Sequence, residues 1–250
     1  MEKKIYSLCH EVLRRLSNKG ILDKILLVGS WCIPLYENYF NNKGYLPPLR
    51  TRDIEFLFPI PLNLESNTDL FELLKDLGFV LDFKGKQGYI VFYHPDLIME
   101  FIVPARGREP RKPIPIKQLG INAQGLRFMD ALAREPIQIL FEDIKVNIPH
   151  PADFALHKLL IAGRRKNPGK ADKDKIQAIA ILRALNESGE FDIVRKIFQS
   201  MPKSWQKTIK SELTNLYETE ISDLITQRVH KEAGQQIQER KKVTYNQQSG

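Results

Sequence analysis

Residues 26–58 read LLVGSWCIPLYENYFNNKGYLPPLRTRDIEFLF, and the fold follows from how this stretch is parsed. An apolar run over 25–28 ends in Gly29-Ser30, and a helix-compatible segment follows. A second apolar run then carries two acids, Asp53 and Glu55, alternating with Ile54 and Phe56. On an extended strand the side chains alternate sides, so both carboxylates share one face and both apolar residues the other. Like charges aligned in this way repel unless a positive group sits between them, and a divalent cation is the usual solution.

Outward from this stretch, the composition limits the function classes. The chain has 250 residues, 42% hydrophobic and 27% charged, enough for a sizeable core. No apolar run reaches the roughly 20 residues of a membrane helix. The N-terminal MEKKIYSLCHEVLRRL mixes charges into apolar positions at helical spacing, unlike a signal peptide. Cys9 and Cys32 make neither a metal motif nor a disulfide framework, so a cytoplasmic protein with free thiols is expected. The net charge of +8 favours a polyanionic partner. Its excess gathers in two places: Arg106, Arg108, Arg111, Lys112 and Lys117, then Lys158, Arg164, Arg165, Lys166, Lys170, Lys173 and Lys175.

Periodicity gives the coarse element order. A helix is expected over 2–16, with Ile5, Leu8, Val12, Leu13 and Leu16 on one stripe, stopped by Asn18-Lys19-Gly20. A buried strand over 25–28, the Gly29-Ser30 turn, a helix over 31–40, an irregular loop over 41–49 and the acidic strand over 50–58 follow. Next come a helix over 68–77 and three strands over 79–83, 89–93 and 97–103, the first two joined by a hairpin-like turn at 84–88. A Pro- and Arg-rich loop spans 104–115, a short helix 126–134, and a hairpin 137–146 around Glu142-Asp143. Asn122 to Gly125 reads as a polar turn. Beyond Pro149-His150-Pro151 only helices are expected, over 152–162, 171–185, 191–198, 203–216 and 220–229. This order predicts an α+β fold, a mixed or antiparallel sheet with flanking helices and a C-terminal helical part. The expected domains are 1–150 and 151–232, with a polar tail over 233–250.

The chemistry rests on a few residues. Glu100 lies between Met99 and Phe101 on a later strand, so Asp53, Glu55 and Glu100 are candidate metal ligands and catalytic acids on one sheet. An acid inside an apolar strand is expensive to bury without a partner. Gly29-Ser30 sits between a strand and a helix start, where backbone N–H groups and the helix dipole suit a phosphate. Ser30 is expected to cap that helix and donate to a phosphate oxygen. The five histidines show no ligand spacing, and Cys32 reads as core.

The VGS…TRDIEFLF pattern, the 97–104 strand and the segment HKLLIAGRRKNPGKADKDKIQA resemble the nucleotidyltransferase superfamily, the DNA polymerase beta-like proteins. Over residues 20–185 the order is similar to that of bacterial nucleotidyltransferase-fold proteins and of abortive-infection-type nucleotidyltransferase toxins. The resemblance implies an enzyme that uses an NTP and Mg²⁺ (or Mn²⁺), moves a nucleotidyl group onto an acceptor hydroxyl on RNA, tRNA or protein, and releases pyrophosphate. It implies that Lys158 contacts the triphosphate, that Asp174 completes the site and that Arg164 and Arg165 are further phosphate partners. Lys158 and Arg165 are seven apart, which places them on one face of a helix. The chain departs from the superfamily pattern in carrying Glu55 where Asp is commoner, and in a longer loop over 41–49. A nucleotide- or RNA-binding module without catalysis, and a toxin-like enzyme controlled by a partner protein, are the alternative readings.

Overall fold

A computed structural model describes residues 2–41, 51–59, 61–64, 67–105, 107 and 112–227. Most of the 41–49 loop, Arg106, Arg108, Arg111 and the 233–250 tail lie outside the described residues. The first helix, α1 (Glu2–Asn18), buries Cys9, Val12, Leu13 and Leu16. Gly20 follows it at φ +64°, a left-handed conformation that favours glycine after a helix. Strand β1 (Leu26–Val28) leads through a 3-10 turn (Gly29–Trp31) into α2 (Cys32–Tyr39). The acidic strand is β2 (Asp53–Leu57).

The helix predicted over 68–77 is a short α3 (Leu70–Leu74) continued by a 3-10 turn (Lys75–Leu77). It starts where the Asp69 carboxylate accepts from the N–H groups of Phe71 and Glu72, and stops at Gly78, φ +92°. Then come β3 (Val80–Lys84), β4 (Tyr89–Tyr93) and β5 (Ile98–Pro104). Next, β6 (Ile114–Ile116) precedes β7 (Ile121–Leu126), and β8 (Ile137–Phe141) pairs with β9 (Ile144–Ile148) across the Glu142-Asp143 turn. The helices are α4 (Pro151–Ala162), α5 (Pro168–Glu187), α6 (Phe191–Ser200), α7 (Lys203–Asn215) and α8 (Thr219–Thr226). Proline at the first helical position starts both α4 and α5, with His150 and Asn167 capping them.

The sheet is mixed, with path order β1-β2-β5-β4-β3. Strand β2 runs antiparallel to β1 and parallel to β5; β5 is antiparallel to β4 along its first half and parallel to β7 along its second. Three sequence expectations are corrected. The residues 122–125 are not a turn but the middle of β7, where Ile121, Ala123 and Gly125 alternate inward. Asn122 earns its polar side chain by bridging to β4: its Oδ1 accepts from the Ile90 N–H at 2.8 Å and its Nδ2 donates to the Gly88 carbonyl at 3.2 Å. The 126–134 stretch holds only a 3-10 turn (Met129–Ala131), because Phe128 at φ +70° breaks a right-handed helix. Finally, Pro115 belongs to the edge strand β6, where no ladder donor is missed.

One cluster of buried residues runs from Cys9 on α1 to Ile225 on α8, so the sheet and the helices share a core. On the sheet, Ile54, Phe56, Met99 and Phe101 face it. The opposite face carries Asp53, Glu55 and Glu100 at one end. At the other end a small apolar group forms, with Val28, Leu57, Ile102, Met129 and Leu132. Among the described residues no helix is long and apolar enough to cross a membrane.

Candidate active site

The turn after β1 sets the site's floor. Gly29 has φ +73°, and a Cβ there would collide with the Oε2 atom and Cδ of Glu55. The strand pairing Val28↔Glu55 explains the approach, since the carboxylate rises from the neighbouring strand directly beneath the turn. Ser30 is corrected: it already lies inside the 3-10 turn, and no side chain caps α2. Its hydroxyl donates instead to Oε1 of Gln177 on α5, at 3.4 Å.

The acids fall partly as expected. The parallel register pairs Glu55 with Glu100 and Asp53 with Ile98, so all three carboxylates emerge on one face. Glu100, however, accepts an ion-paired hydrogen bond from Lys84 on β3. The three acids are not among the groups whose ligand atoms lie within 4.8 Å of one another; within the described residues, only His10, Glu142 and Asp143 form such a group. That cluster is an ion pair of α1 with the β8–β9 turn, His10 Nε2 lying 2.8 Å from Asp143 Oδ1, and it shows that a histidine without sequence spacing still finds carboxylates in space. Burial raises the Glu55 carboxyl above its ordinary range; Lys158 opposes the shift, and the charges of Glu100 and Asp53 add to it. Asp53 is held by Thr51, whose Oγ1 lies 3.5 Å from Oδ2 and accepts from the Asp53 N–H at 3.1 Å.

Over this face lie α4 and α5. Lys158, 5% exposed, donates through Nζ to Asp174 Oδ1 at 2.5 Å. Arg165 Nε donates to Asp174 Oδ2 at 2.7 Å. Burial pushes the Asp174 carboxyl up, but Lys158 and Arg165 more than offset it and hold it below its ordinary value. The expectation that Lys158 and Arg165 share a helix face is corrected: α4 ends at Ala162, and Arg165 lies in the turn that follows. The turn, not helical spacing, brings its guanidinium back to α5.

A cleft of about 70 Å³ gathers Gly29, Ser30, Asp53, Glu55, Lys158, Arg165 and Asp174, together with Thr51, Lys170 and Lys173. Of the nine residues singled out from sequence, seven thus line one cavity; Glu100 does not, and Arg164 lines the adjoining chamber instead. Lys170 and Lys173 were visible only as part of a basic segment. Their spacing of three, with Asp174 and Gln177 beyond, is the signal that turns one face of α5 toward the acids. A second chamber of about 180 Å³ adjoins the first and shares Gly29, Glu55, Lys158 and Arg165 with it. A larger cavity of about 630 Å³ lies along another face of α5, lined by Ile176, Ile179, Ala184 and Leu216, away from the acids.

The donor set of the first cleft fits a divalent cation. A carboxylate whose burial and like-charged neighbours disfavour ionisation, beside a second carboxylate, gains from a cation between them. Asp53 and Glu55 supply hard oxygen ligands; Glu100 is turned to Lys84.

Residues 7–202 match a protein-family model described as Nucleotidyltransferase. No curated protein matches the sequence. Among solved structures, the chain is similar to the antibiotic-resistance factor ANT(2'')-Ia in solution, at 13% identity over 88% of this chain and 98% of that one, TM-score 0.44. It is similar to ANT(2")-Ia in complex with adenylyl-2"-tobramycin, at 12% identity over 88% and 94%, TM-score 0.37. An antigenic nucleotidyltransferase-like protein from Paracoccidioides brasiliensis is 12% identical over 92% and 96%, TM-score 0.45.

Proposed function

The chain belongs to the nucleotidyltransferase family and is a nucleotidyltransferase enzyme, and on that premise we propose that the cleft between β2 and the α4–α5 pair binds an NTP and passes its nucleotidyl group to an acceptor hydroxyl. The supporting observation is the convergence of Gly29, Ser30, Asp53, Glu55, Lys158, Arg165 and Asp174, from four separate parts of the chain, on one small charged cavity.

Asp53 and Glu55 hold Mg²⁺ or Mn²⁺, which when bound supplies positive charge to the phosphate oxygens. Lys158, Arg165, Lys170 and Lys173 surround the same cavity, and the pyrophosphate carries away charge that they neutralise as it builds. The acceptor oxygen forms a bond to the α-phosphorus while the bond to the α–β bridging oxygen breaks. The hydroxyl proton passes to a carboxylate; Glu100 takes this role once Lys84 releases it. Asp174 holds Lys158 and Arg165 in place while the cleft is empty of phosphate.

Calorimetric titration with each NTP, with and without Mg²⁺ or Mn²⁺, tests the reading. Binding is expected to need the cation and to vanish in the Asp53→Asn, Glu55→Gln double variant, with the melting temperature kept or raised because a buried repulsion is removed. Cation-independent binding, or a sharp loss of stability in the variant, overturns it.

A further inference from the structure

The sheet ends on β3, and among the described residues no strand pairs with its outer side. All five residues of β3 are exposed, Val80 at 56% and Phe83 at 59%. Such an edge is a template for another strand unless something blunts it. Here neither proline nor bulge does so, and its lysine, Lys84, is drawn inward to Glu100. The register decides which backbone groups are free. The Ile90 N–H turns away from β3 to Asn122 on β7, so in the pair Phe83↔Ile90 the backbone groups of Phe83 turn outward as well. With no strand beside it, the Phe83 N–H donates at 2.7 Å to Oδ1 of its neighbour Asp82. The side chains divide by face. Leu81 and Phe83 lie on the core side of the sheet, with Phe83 projecting past the core. Asp82 and Lys84 lie on the acid face, because Asp82 pairs with Val91 and Val91 with Glu100.

We propose that β3 pairs antiparallel with β3 of a second copy of this chain, about a two-fold axis at Phe83, and that this pairing draws Lys84 away from Glu100. The release of Glu100 rests on the nucleotidyl-transfer reading above and names a regulation of that site. Backbone and charge select the register together. With the axis at Phe83, the two Phe83 residues bond through the backbone groups that already face outward, and Asp82 of each copy stands opposite Lys84 of the other. Opposite charges at directly facing positions stabilise a ladder, and this register makes two such contacts. Moving the axis to Asp82 sets two carboxylates against each other instead, which is unfavourable. On the other face the two Phe83 rings, each more than half exposed in the single chain, cover one another. The Phe83 N–H then donates to a carbonyl across the axis, and the Asp82 carboxylate is free to meet the facing ammonium. Distance favours that exchange. Lys84 reaches Glu100 across two strand spacings, about 10 Å, whereas directly facing side chains start about 5 Å apart. The nearer carboxylate claims the ammonium, and Glu100 turns to the cation between Asp53 and Glu55.

The test follows the full chain by sedimentation velocity over a dilution series, as wild type, Asp82→Lys, Lys84→Glu and a mixture of these two variants. Wild type is expected to form dimers reversibly and weakly, as a small interface dictates. Each charge reversal alone sets like charges across the axis and is expected to weaken dimerisation at least tenfold. Mixing the two variants restores opposite charges at both positions, and the mixed dimer is expected to recover to within about threefold of wild type. Titration with Mn²⁺ then reads the site. Wild-type affinity is expected to rise several-fold from the dilute to the dimeric range. Phe83→Lys, which repels across the axis from the face opposite the acids, is expected to stay at the dilute value. A monomer at every concentration, or a dimer indifferent to both reversals, overturns the pairing. Dimers whose Mn²⁺ affinity matches that of the monomer overturn the release of Glu100. Should neither form bind Mn²⁺, the cation reading itself has failed and takes the release of Glu100 with it, while the pattern of the reversals still decides the pairing.

Discussion

At the scale of single residues, Gly29 is where the backbone meets the proposed cation site. Its φ of +73° and the Glu55 carboxylate pressed against its α-carbon exclude any side chain. Gly20 is the natural control, with a similar φ of +64° but nothing within 4 Å of an added Cβ. Alanine at either position costs about 1–2 kcal/mol for the left-handed backbone. Gly29→Ala must also displace Glu55, and it is expected to lower cation-dependent NTP affinity at least tenfold, while Gly20→Ala leaves that affinity unchanged. Calorimetry on both variants checks this, and equal affinities would detach Glu55 from the cation site. The left-handed need was legible in the Gly-Ser turn. The collision with Glu55 was not, because it depends on β1 pairing with β2, which no local pattern specifies.

At the scale of elements, two contacts decide how the acids and cations are used. The first is the ion pair from β3 to β5, Lys84 to Glu100, with Lys84 half exposed. Glu100 is largely buried, but with Lys84 half in water the pair is screened and contributes about 1 kcal/mol, so breaking it is cheap. Lys84→Met is expected to change stability by under about 1 kcal/mol and to tighten Mn²⁺ binding several-fold as Glu100 turns to the cation. Unchanged Mn²⁺ affinity by titration would place Glu100 outside the site. The second contact joins α4 to α5 through Lys158, Asp174 and Arg165. Both Lys158 and Asp174 are buried, so Asp174→Ala strands a buried ammonium and is expected to cost about 3–5 kcal/mol in urea unfolding. Lys158→Ala should weaken NTP binding more than nucleoside monophosphate binding, since the lost contact is to the outer phosphates. Equal losses for both ligands would make Lys158 a purely structural partner of Asp174.

For the whole molecule, two buried groups next to each other on α4 give opposite responses to pH. Burial lowers the His157 pKa to about 3, with Lys158 adding to the effect. The unfolded chain takes up that proton near its ordinary value of 6.5, so this contribution to stability is present above pH 6.5 and is lost as pH falls toward 3. Burial raises the Asp153 pKa to about 6 from 3.8, against the pull of Arg134. That group favours folding below pH 3.8, and the advantage disappears as pH rises through 6. Between about pH 4 and 6 the two slopes oppose each other. Asp153→Asn removes one of them, and is expected to stabilise the protein at pH 7.5 by up to about 3 kcal/mol. The gain should vanish near pH 4, leaving the variant with the steeper acid loss. Urea unfolding at the two pH values checks the sign; an equal gain at both would show that Asp153 does not titrate in this window.

What the sequence alone determined is the part governed by local periodicity and steric rules. Alternation fixed Asp53 and Glu55 on one face of a strand, a Gly-Ser turn ended β1, Pro149-His150-Pro151 marked where the C-terminal helices begin, and the family pattern tied these pieces to nucleotidyl transfer. Tertiary structure decided what depends on distant partners. Arg165 reaches Asp174 from a turn rather than a helix, Ser30 meets Gln177 147 positions away, and Glu100 is claimed by Lys84 from two strands over. Asn122 to Gly125 looked like a turn because its polarity was read without its neighbour β4. A side chain's direction follows from the local backbone, but its charge partner is set by which elements pack against it, and that packing is a property of the whole core.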